Sequence, residues 1–451
     1  MLKKRFVSLL IAGLLCGTVL AGCGFIEKES SNTAEIISDV IMEEDGLLPE
    51  HDENDGTLNA DTVAQDPETV DTPYEYRSQS HGYQNLLTEN EEALYEEIDR
   101  NIHSIGLEKN DSGYYDISRI TVWNELTETE IKVAITAYKN DHPEVFWLAN
   151  VYGRASQDGN TMLYLYSYVS PEECEKMIRK TNSKVQSIVE SIGEDQTEFD
   201  RELLAFRAVA DHCAYDTATA TGEAKDWQSY TAYGALINGK AVCEGYSRAM
   251  QLLLSYLDME CRLIHGMADG TGHMWDLVRI GGDWYHLDAT WNDQKDVVIY
   301  DYFNVTDHVI QKDHTIGPEL DKLSTEQVDT LIKNNGNFNM NLPSCSRITE
   351  NYLRKRGVQI SSFSAAEDQR VIEAFRDARD SQQQAVYLYI SEDIDFDMAI
   401  NQLLKTRSPQ LFVYLQGANK GYGAARIDDT EVRYIVSEQA RSVTVMLDYA
   451  E

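Results

Sequence analysis

The sequence has little positive charge: 39 Lys and Arg residues stand against 76 Asp and Glu residues, giving a formal net charge of −37 over 451 residues. Affinity for nucleic acid comes chiefly from Lys and Arg side chains that neutralise phosphates, so we expect no nucleic-acid partner. Proline is also scarce, with 8 residues, whereas 42% of the chain is hydrophobic and 10% aromatic. The chain therefore has enough apolar material for two or more packed domains of about 100 to 200 residues each.

The apolar run at residues 6–20 is shorter than the roughly 18 residues that a membrane-spanning helix requires. It follows three cationic residues, which is typical of a secretory signal. The run ends in Leu20-Ala21-Gly22-Cys23, which resembles the lipobox of bacterial lipoproteins. The resemblance implies that residues 1–22 are removed and that Cys23 carries a lipid, which would anchor the exported chain to the outer face of the bacterial cell membrane. An ordinary secretory signal with an unrelated cysteine is the alternative.

The sequence lacks any C-x-x-C pair, so its cysteine spacing does not resemble a zinc site, and we expect neither a metal nor a cofactor. Two of the 7 cysteines, Cys16 and Cys23, belong to the signal and the lipobox. The others are Cys174, Cys213, Cys243, Cys261 and Cys345. Because five is odd, at least one thiol of an exported protein would remain outside a disulfide and is a candidate reactive group.

The segment 23–80 is dominated by acidic and small polar residues and has few cations. Such a segment buries too little apolar surface to offset its chain entropy, so we predict a disordered, acidic tether. An acidic tail that binds a partner is the alternative. The rest of the chain is predicted to contain an α+β N-terminal region, a central domain with the informative motifs, a linker and a small C-terminal α/β domain, at residues 81–195, 196–320, 321–348 and 349–451.

Local signals in the N-terminal region predict helices and a hairpin. Thr88 with Glu91 fits a capping box, and Ser170-Pro171 opens a helix that Gly193 would end. Asp158-Gly159-Asn160 separates two β-branched and aromatic runs and predicts a hairpin. In the C-terminal domain we predict strands at residues 358–360, 386–390, 411–415, 432–436 and 443–447, with helices at 365–381 and 396–405.

Cys243 is predicted to stand at the N-terminus of a helix. There the unpaired N–H groups and the helix dipole favour a thiolate, and the N–H of Cys243 could stabilise an oxyanion. We expect Gly239 and Gly245 on either side to leave the backbone open to a substrate carbonyl.

A candidate base and an orienting acid follow on two predicted strands. His273 begins the first strand, Gly281-Gly282 predicts a tight turn, and Asp288 lies on the return strand. A turn centred on these glycines places Trp275 opposite Asp288 and leaves His273 diagonal to Asp288 on the same face, within side-chain reach. The expected arrangement has the imidazole between the thiol and the carboxylate.

These residues lie in three motifs: GKAVCEGY at 239–246, GHMWDLV at 272–278 and WYHLDATW at 284–291. Together they resemble the core of the transglutaminase-like superfamily, over about 120 residues. The resemblance implies a papain-like fold, with a cysteine-bearing helix packed on an antiparallel sheet, inside an overall α+β protein. It further implies Cys243 as the nucleophile, His273 as the base and Asp288 as the orienting acid.

Members of this superfamily cross-link Gln to Lys, hydrolyse amides or act as proteases, in each case through a thioester on the cysteine. The resemblance therefore implies acyl transfer or amide hydrolysis on protein or peptide substrates, cell-wall peptides among them. Some members lack the triad and only bind partners, so a non-catalytic surface module that binds peptide or wall is the alternative. A sugar-binding surface protein is a third possibility, which the 26 Tyr residues keep open.

Other residues near these motifs are weaker candidates. Tyr233, Tyr230 and Trp227 precede the nucleophile and could supply a second oxyanion donor, or they could be core aromatics. His286 shares the predicted strand face of Asp288 and could compete as the base. A metal site built from His273, Asp276, His286 and Asp288 is a remaining alternative, because these residue types are acceptable zinc ligands.

Overall fold

The computed structural model describes residues 68–69, 79–157, 159–193, 195–316, 342–421 and 426–450. The predicted signal, Cys23 and most of the predicted tether lie outside these residues. The described chain forms two compact units. Of the described residues, the amino-terminal unit contains those up to Arg279 together with 313–316 and 342–343, and the carboxy-terminal unit contains Ile280–Lys312 and residues 344–450.

A mixed set of short and long strands forms the first sheet of the amino-terminal unit. Its strands run in the order β1-β2-β3-β6-β4, and β5 pairs with β6. The strands are β1 (Glu68–Thr69), β2 (Ser104–Lys109), β3 (Tyr115–Ile117), β4 (Ile120–Val122), β5 (Leu148–Gln157) and β6 (Asn160–Ser167). Gln157 pairs with Asn160, which confirms the predicted hairpin. The strand β1 falls within the segment predicted to be disordered.

Helices α1 (Glu89–Asn101), α2 (Glu128–Asp141) and α3 (Pro171–Ile192) belong to the same region. The capping box of Thr88 and Glu91 is confirmed, since the Thr88 hydroxyl accepts a hydrogen bond from the Glu91 N–H and the Glu91 carboxylate accepts one from the Thr88 N–H. Ser170 caps α3, and Gly193 ends it with φ +77°, as predicted. Local sequence therefore determines where these helices begin and end.

The helix that begins at Cys243 packs on a second, antiparallel sheet of the amino-terminal unit. The helices here are α4 (Glu198–Ala210), α5 (Thr217–Ala220) and α6 (Cys243–Tyr256), and a short parallel pair is formed by β7 (Ala214–Tyr215) and β8 (Lys240–Ala241). The sheet contains β9 (Cys261–Ala268), with β10 (Thr271–Ile280) on one side and β15 (His314–Ile316) on the other. Helix α6 lies against β9. The predicted core, a cysteine-bearing helix on an antiparallel sheet, is confirmed.

The carboxy-terminal unit begins with a Gly281-Gly282 turn in which both residues have positive φ, +60° and +90°, as a tight hairpin turn requires. Its first elements are β11 (Asp283–Leu287), α7 (Ala289–Asn292), β12 (Asp293–Gln294), β13 (Val297–Val298), β14 (Phe303–Val305) and α8 (Asp307–Ile310). The later elements are α9 (Tyr352–Arg356), β16 (Val358–Ile360), α10 (Ala365–Asp380), β17 (Ala385–Ile390), α11 (Phe396–Ile400), α12 (Gln410–Ala418), β18 (Tyr434–Ser437) and β19 (Ser442–Met446).

The C-terminal sheet has the order β16-β17-β19-β18, with a parallel first pair, so the α/β prediction for this region agrees with the structure. The predicted strand at 411–415 is wrong, because these residues lie in α12. Leu411, Tyr414 and Leu415 are buried at helical spacing. The residues between them are also apolar, so the sequence shows a continuous apolar run that fits a strand equally well.

Part of the segment predicted to belong to the central domain packs with the C-terminal sheet. Val297 and Ile299 pack with Ala385 of the C-terminal sheet, and the Tyr387 hydroxyl donates a hydrogen bond to the Val298 carbonyl. The segment after Ile280 is thus tied to the C-terminal sheet. Among the described residues, no helix combines the length and apolarity that a membrane span needs.

Candidate active site

Cys243 is the first residue of α6, a helix of 14 residues, and its side chain is 8% exposed. The N-cap is Val242, whose aliphatic side chain has no atom that can bind the first N–H groups of the helix. These N–H groups and the helix dipole therefore act on the sulfur and on any oxyanion formed beside it. The prediction of a helix-start cysteine is confirmed.

Gly245 allows α6 to approach the turn at Trp227–Tyr230. A Cβ atom at this position would lie 2.5 Å from the Ser229 carbonyl oxygen and 2.7 Å from the Ala241 side chain. Gly239 has φ +67° and ends a π-helical turn. We expected both glycines to open the backbone to substrate, but the structure gives them a different role: Gly245 permits close packing and Gly239 permits a left-handed turn.

The loop before the nucleophile is organised by Asp216, which sequence reasoning missed. Its buried carboxylate accepts hydrogen bonds from the Ser229 hydroxyl at 2.7 Å and the Thr219 hydroxyl at 2.7 Å, and the Lys240 ammonium lies at 2.8 Å. Burial by itself would raise the pKa of Asp216, but these partners outweigh burial and lower it. Backbone hydrogen bonds join the same segments: the Asp216 N–H donates to the Ala241 carbonyl, and the Val242 N–H donates to the Ser229 carbonyl.

A buried ion pair fixes the next residue of α6. The Arg248 guanidinium donates to the Glu244 carboxylate at 2.8 Å, and the two side chains are 7% and 10% exposed. Arg248 also donates to the Lys139 carbonyl, which joins the first turn of α6 to the end of α2. Burial lowers the pKa of the Lys139 ammonium to about 8, with Glu244 opposing that change. Because Glu244 is adjacent to Cys243, this ion pair also fixes the start of α6 against α2.

His273 lies near the start of β10 and is 5% exposed. It stands opposite Gly266 of β9, and its ring stacks on that of Trp275 with centroids 6.0 Å apart and an interplanar angle of 19°. The ring of His314, on β15, meets His273 edge-on at 5.4 Å. The His314 ring is itself hydrogen-bonded to the Asp313 carboxylate at 2.6 Å.

Helix α6 and the strand of His273 are joined directly. Cys243 packs with Leu263 and Met274, the residue after His273. One turn further along α6, the Ser247 hydroxyl donates to the Met274 carbonyl at 3.1 Å. These contacts bring Cys243 against the residue next to His273, within one compact unit.

Asp288 belongs to the carboxy-terminal unit, at the N-cap of α7, and is fully buried. One of its carboxylate oxygens accepts a hydrogen bond from the Trp291 N–H at 2.9 Å. Its own N–H donates to the Tyr302 carbonyl. The carboxylate is therefore fixed in orientation by the chain that follows it.

The three oxyanion candidates occupy different environments. Tyr233 is 5% exposed and packs on Phe146 in the N-terminal core, and Trp227 stacks on Tyr168 with centroids 4.5 Å apart. Tyr230 is half-buried and lines a cavity together with Glu244. The surroundings of Tyr233 are those of a core aromatic, whereas Trp227 is half-buried like Tyr230 and lines the same cavity.

The remaining histidines near the motifs have their own partners. His286 binds the Asp307 carboxylate at 2.9 Å, and His265 binds the Asn140 side chain at 3.2 Å. Burial lowers the pKa of His265 to about 4, so its ring is neutral. Asp276 accepts a hydrogen bond from the Cys261 thiol at 3.5 Å. His286 and Asp276, two members of the four-residue metal alternative, thus each have a partner outside that group.

Comparison with known proteins agrees with the fold and the motifs. The model of the transglutaminase-like superfamily matches residues 186–289, which include Cys243, His273 and Asp288. Human kyphoscoliosis peptidase is 26% identical over 110 residues, which are 22% of this chain and 16% of that protein. A solved structure described as a TGase matches 39% of this chain and 52% of its own at 17% identity, with a TM-score of 0.23.

Residues 186–289 are therefore a domain of the transglutaminase-like superfamily. The chain spans about one sixth of the length of the curated relative that it matches.

Proposed function

We propose that this chain is a cysteine acyltransferase or peptidase that acts on proteins or peptides at the surface of a bacterial cell. The observation that carries the proposal is the place of Cys243, at the start of a long helix with an aliphatic N-cap, inside a transglutaminase-like domain. Members of this superfamily are usually enzymes of these two kinds.

In the proposed reaction His273 accepts the thiol proton, and the Cys243 sulfur attacks the carbon of a substrate amide. The resulting oxyanion accepts a hydrogen bond from the Cys243 N–H, with Tyr230 as the candidate second donor. The C–N bond then breaks, the leaving amine takes the proton from His273, and a thioester remains. Water or a second amine attacks the thioester, which regenerates the thiol. Asp288 is the proposed orienting acid for the imidazole.

The proposed location depends on residues 20–23, whose likeness to a lipobox supports export and lipid attachment at Cys23. Substrates in that location would be surface proteins or peptides, including those of the cell wall. Labelling cells with a radioactive fatty acid tests this part: the wild type should incorporate the label and Cys23→Ser should not.

Iodoacetamide alkylation of the full-length protein across a pH series tests the catalytic proposal, with each modified cysteine read by mass spectrometry. Cys174 and Cys345 are internal controls, because burial raises the pKa of both thiols. We expect Cys243 to react with an apparent pKa well below the usual value of about 8.5. His273→Ala should weaken that reactivity, and His308→Ala, at an exposed histidine, should not.

Greater exposure alone could make Cys243 react faster than its controls, so the dependence on His273 is the decisive result. If Cys243 reacts no faster than Cys174 and Cys345, or if His273→Ala leaves its pH profile unchanged, the triad is rejected. The chain would then be treated as a non-catalytic module that binds peptide or wall. If the proposal stands, incorporation of a labelled amine against release of free acid separates transferase from hydrolase.

A further inference from the structure

His286, Asp307 and Cys345 bring three different metal-binding atoms together in the carboxy-terminal unit. A ring nitrogen, a carboxylate oxygen and the sulfur all lie within 4.8 Å of one another. They come from the end of β11, the first residue of α8 and the segment before α9. His286 and Cys345 are each 1% exposed, and the Asp307 side chain is one-third exposed.

We propose that these three residues bind one transition-metal ion, with zinc as the best match. Nitrogen, sulfur and oxygen donors together suit zinc, whereas calcium and magnesium prefer oxygen alone. Tetrahedral zinc, with bonds of about 2.0 to 2.3 Å, separates its ligand atoms by roughly 3.3 to 3.7 Å. The distances between the three atoms therefore need to change by no more than about 1.5 Å, and water would reach the exposed side of Asp307 as the fourth ligand.

The surrounding hydrogen bonds orient Asp307 for this role. One carboxylate oxygen lies 2.9 Å from the His286 Nε2 atom. The other accepts hydrogen bonds from the Cys345 N–H at 2.9 Å and the Ser344 hydroxyl at 3.2 Å. Such second contacts are the usual means by which proteins fix a ligating carboxylate.

Metal binding requires a definite change in protons. Burial, and then the neighbouring Asp307, raise the pKa of the Cys345 thiol, which is therefore protonated without a metal. Coordination breaks the S–H bond, forms the metal–sulfur bond and releases one proton to solvent. His286 ligates as the neutral ring through Nε2, with its proton on Nδ1.

The proposed ion would act on the chain that leads to Asp288. His286 precedes Asp288 by two residues, at the end of β11. A metal bound there would fix this end of the strand to the segment that contains Cys345. The inference does not depend on the proposed catalytic function, because metal binding is measured without a substrate.

Cobalt(II) titration of the metal-free, full-length protein tests the proposal. Excess magnesium occupies exposed carboxylates, and a thiolate-to-cobalt charge-transfer band reports coordination by sulfur. We expect one equivalent of cobalt, displaced by zinc, and loss of the band in Cys345→Ser. Cys174→Ser, at a cysteine buried in α3, is the matched control and should keep the band.

Asp307→Asn keeps a hydrogen-bond acceptor, so it is the variant to use if Cys345→Ser does not fold. Its affinity for cobalt should fall at least tenfold. The proposal is overturned if the wild type shows no charge-transfer band at saturating cobalt, if the band survives in Cys345→Ser, or if Asp307→Asn binds as tightly as the wild type. The three residues would then form only a hydrogen-bonded network.

Discussion

The region around the nucleophile and the C-terminal sheet bury very different side chains. Between residues 196 and 279 the buried charged or titratable groups include Glu202, Asp216, Glu244, Arg248, His273 and Asp276. Among the described residues from 349 onwards, Arg379 is the one charged side chain buried to this degree. The core of the C-terminal sheet is otherwise apolar, with Leu388, Val443 and Val445 fully buried.

The difference shows that polar and charged groups are buried mainly in the region around Cys243, although their burial is by itself unfavourable. A buried charge is unfavourable unless hydrogen bonds and opposite charges compensate it. Asp216 and the Glu244–Arg248 pair are compensated in this way, and both hold backbone on either side of Cys243. The core of the C-terminal sheet, by contrast, buries mainly apolar side chains.

Among the substitutions that test this comparison, we expect the largest loss of stability at Asp216. Replacing Asp216 by Ala leaves the Ser229 and Thr219 hydroxyls and the Lys240 ammonium without their common acceptor, so we expect a loss of about 3 to 5 kcal/mol in the free energy of unfolding. Urea denaturation measures it. Asp211→Ala, which breaks only an exposed pair with Arg207, should change stability by less than about 0.5 kcal/mol. A loss below about 1 kcal/mol at Asp216 would contradict its role as an organising residue.

A core substitution in the C-terminal sheet should lower the free energy of unfolding without changing the reactivity of Cys243. Leu388 is fully buried on β17, and Leu388→Ala should cost about 2 to 4 kcal/mol. The rate of Cys243 alkylation in the protein that remains folded should not change. Val413→Ala, at a position 44% exposed on α12, is the control and should be nearly neutral. A changed alkylation rate in Leu388→Ala would show that packing in the C-terminal sheet affects the reactivity of Cys243.

Alanine substitutions at two glycines, one in each region, test the same comparison at single positions. Gly245→Ala would push a methyl group into the Ser229 carbonyl and should cost about 1 to 3 kcal/mol. At Gly417, on α12, the obstacle is the Ile372 side chain, with its δ-carbon at 2.7 Å and its γ-carbons at 3.0 and 3.1 Å. Gly417→Ala should therefore cost less than Gly245→Ala, since a side chain can shift more easily than backbone and alanine is the better helix former. Equal destabilisation by the two substitutions would show that backbone and side-chain obstacles do not differ here.

The smallest expected effect is a change with pH. The partners of Asp216 hold its folded-state pKa below the unfolded value of about 3.9, so its contribution is fully present above that pH and is lost as the pH falls below it. The difference in stability between the wild type and Asp216→Asn should therefore shrink as the pH falls below about 4. Denaturation curves between pH 2 and pH 7 measure it. A difference that stays constant over that range would rule out ionised Asp216 as the source of stability.

Local signals in the sequence predicted local structure well. The Thr88 capping box, the Ser170 N-cap and the hairpin at Gly159 depend on residues close in sequence, and each is present. The helix at 410–418 was mistaken for a strand because its apolar run hides the helical spacing that burial reveals. The start of α6 at Cys243 was also predicted, and it is confirmed.

Long-range contacts were beyond the sequence. Asp216 meets Lys240 across 24 residues, and Arg248 meets the Lys139 carbonyl across 109. Each of these residues resembles an ordinary surface charge when the sequence is inspected alone. The pattern 'Asp before a short polar helix' at Asp216 predicts an N-cap, which it is, but gives no sign of the other partners.

The stacking of Trp275 on His273 has an optical consequence. Trp275 is fully buried, with its ring nearly parallel to the imidazole at 6.0 Å. An imidazolium ion quenches the emission of a neighbouring indole more strongly than a neutral ring does. In a variant that retains Trp275 as its one indole, the intensity of fluorescence would report the protonation of His273 without any added dye, and so would follow the proposed base through its titration.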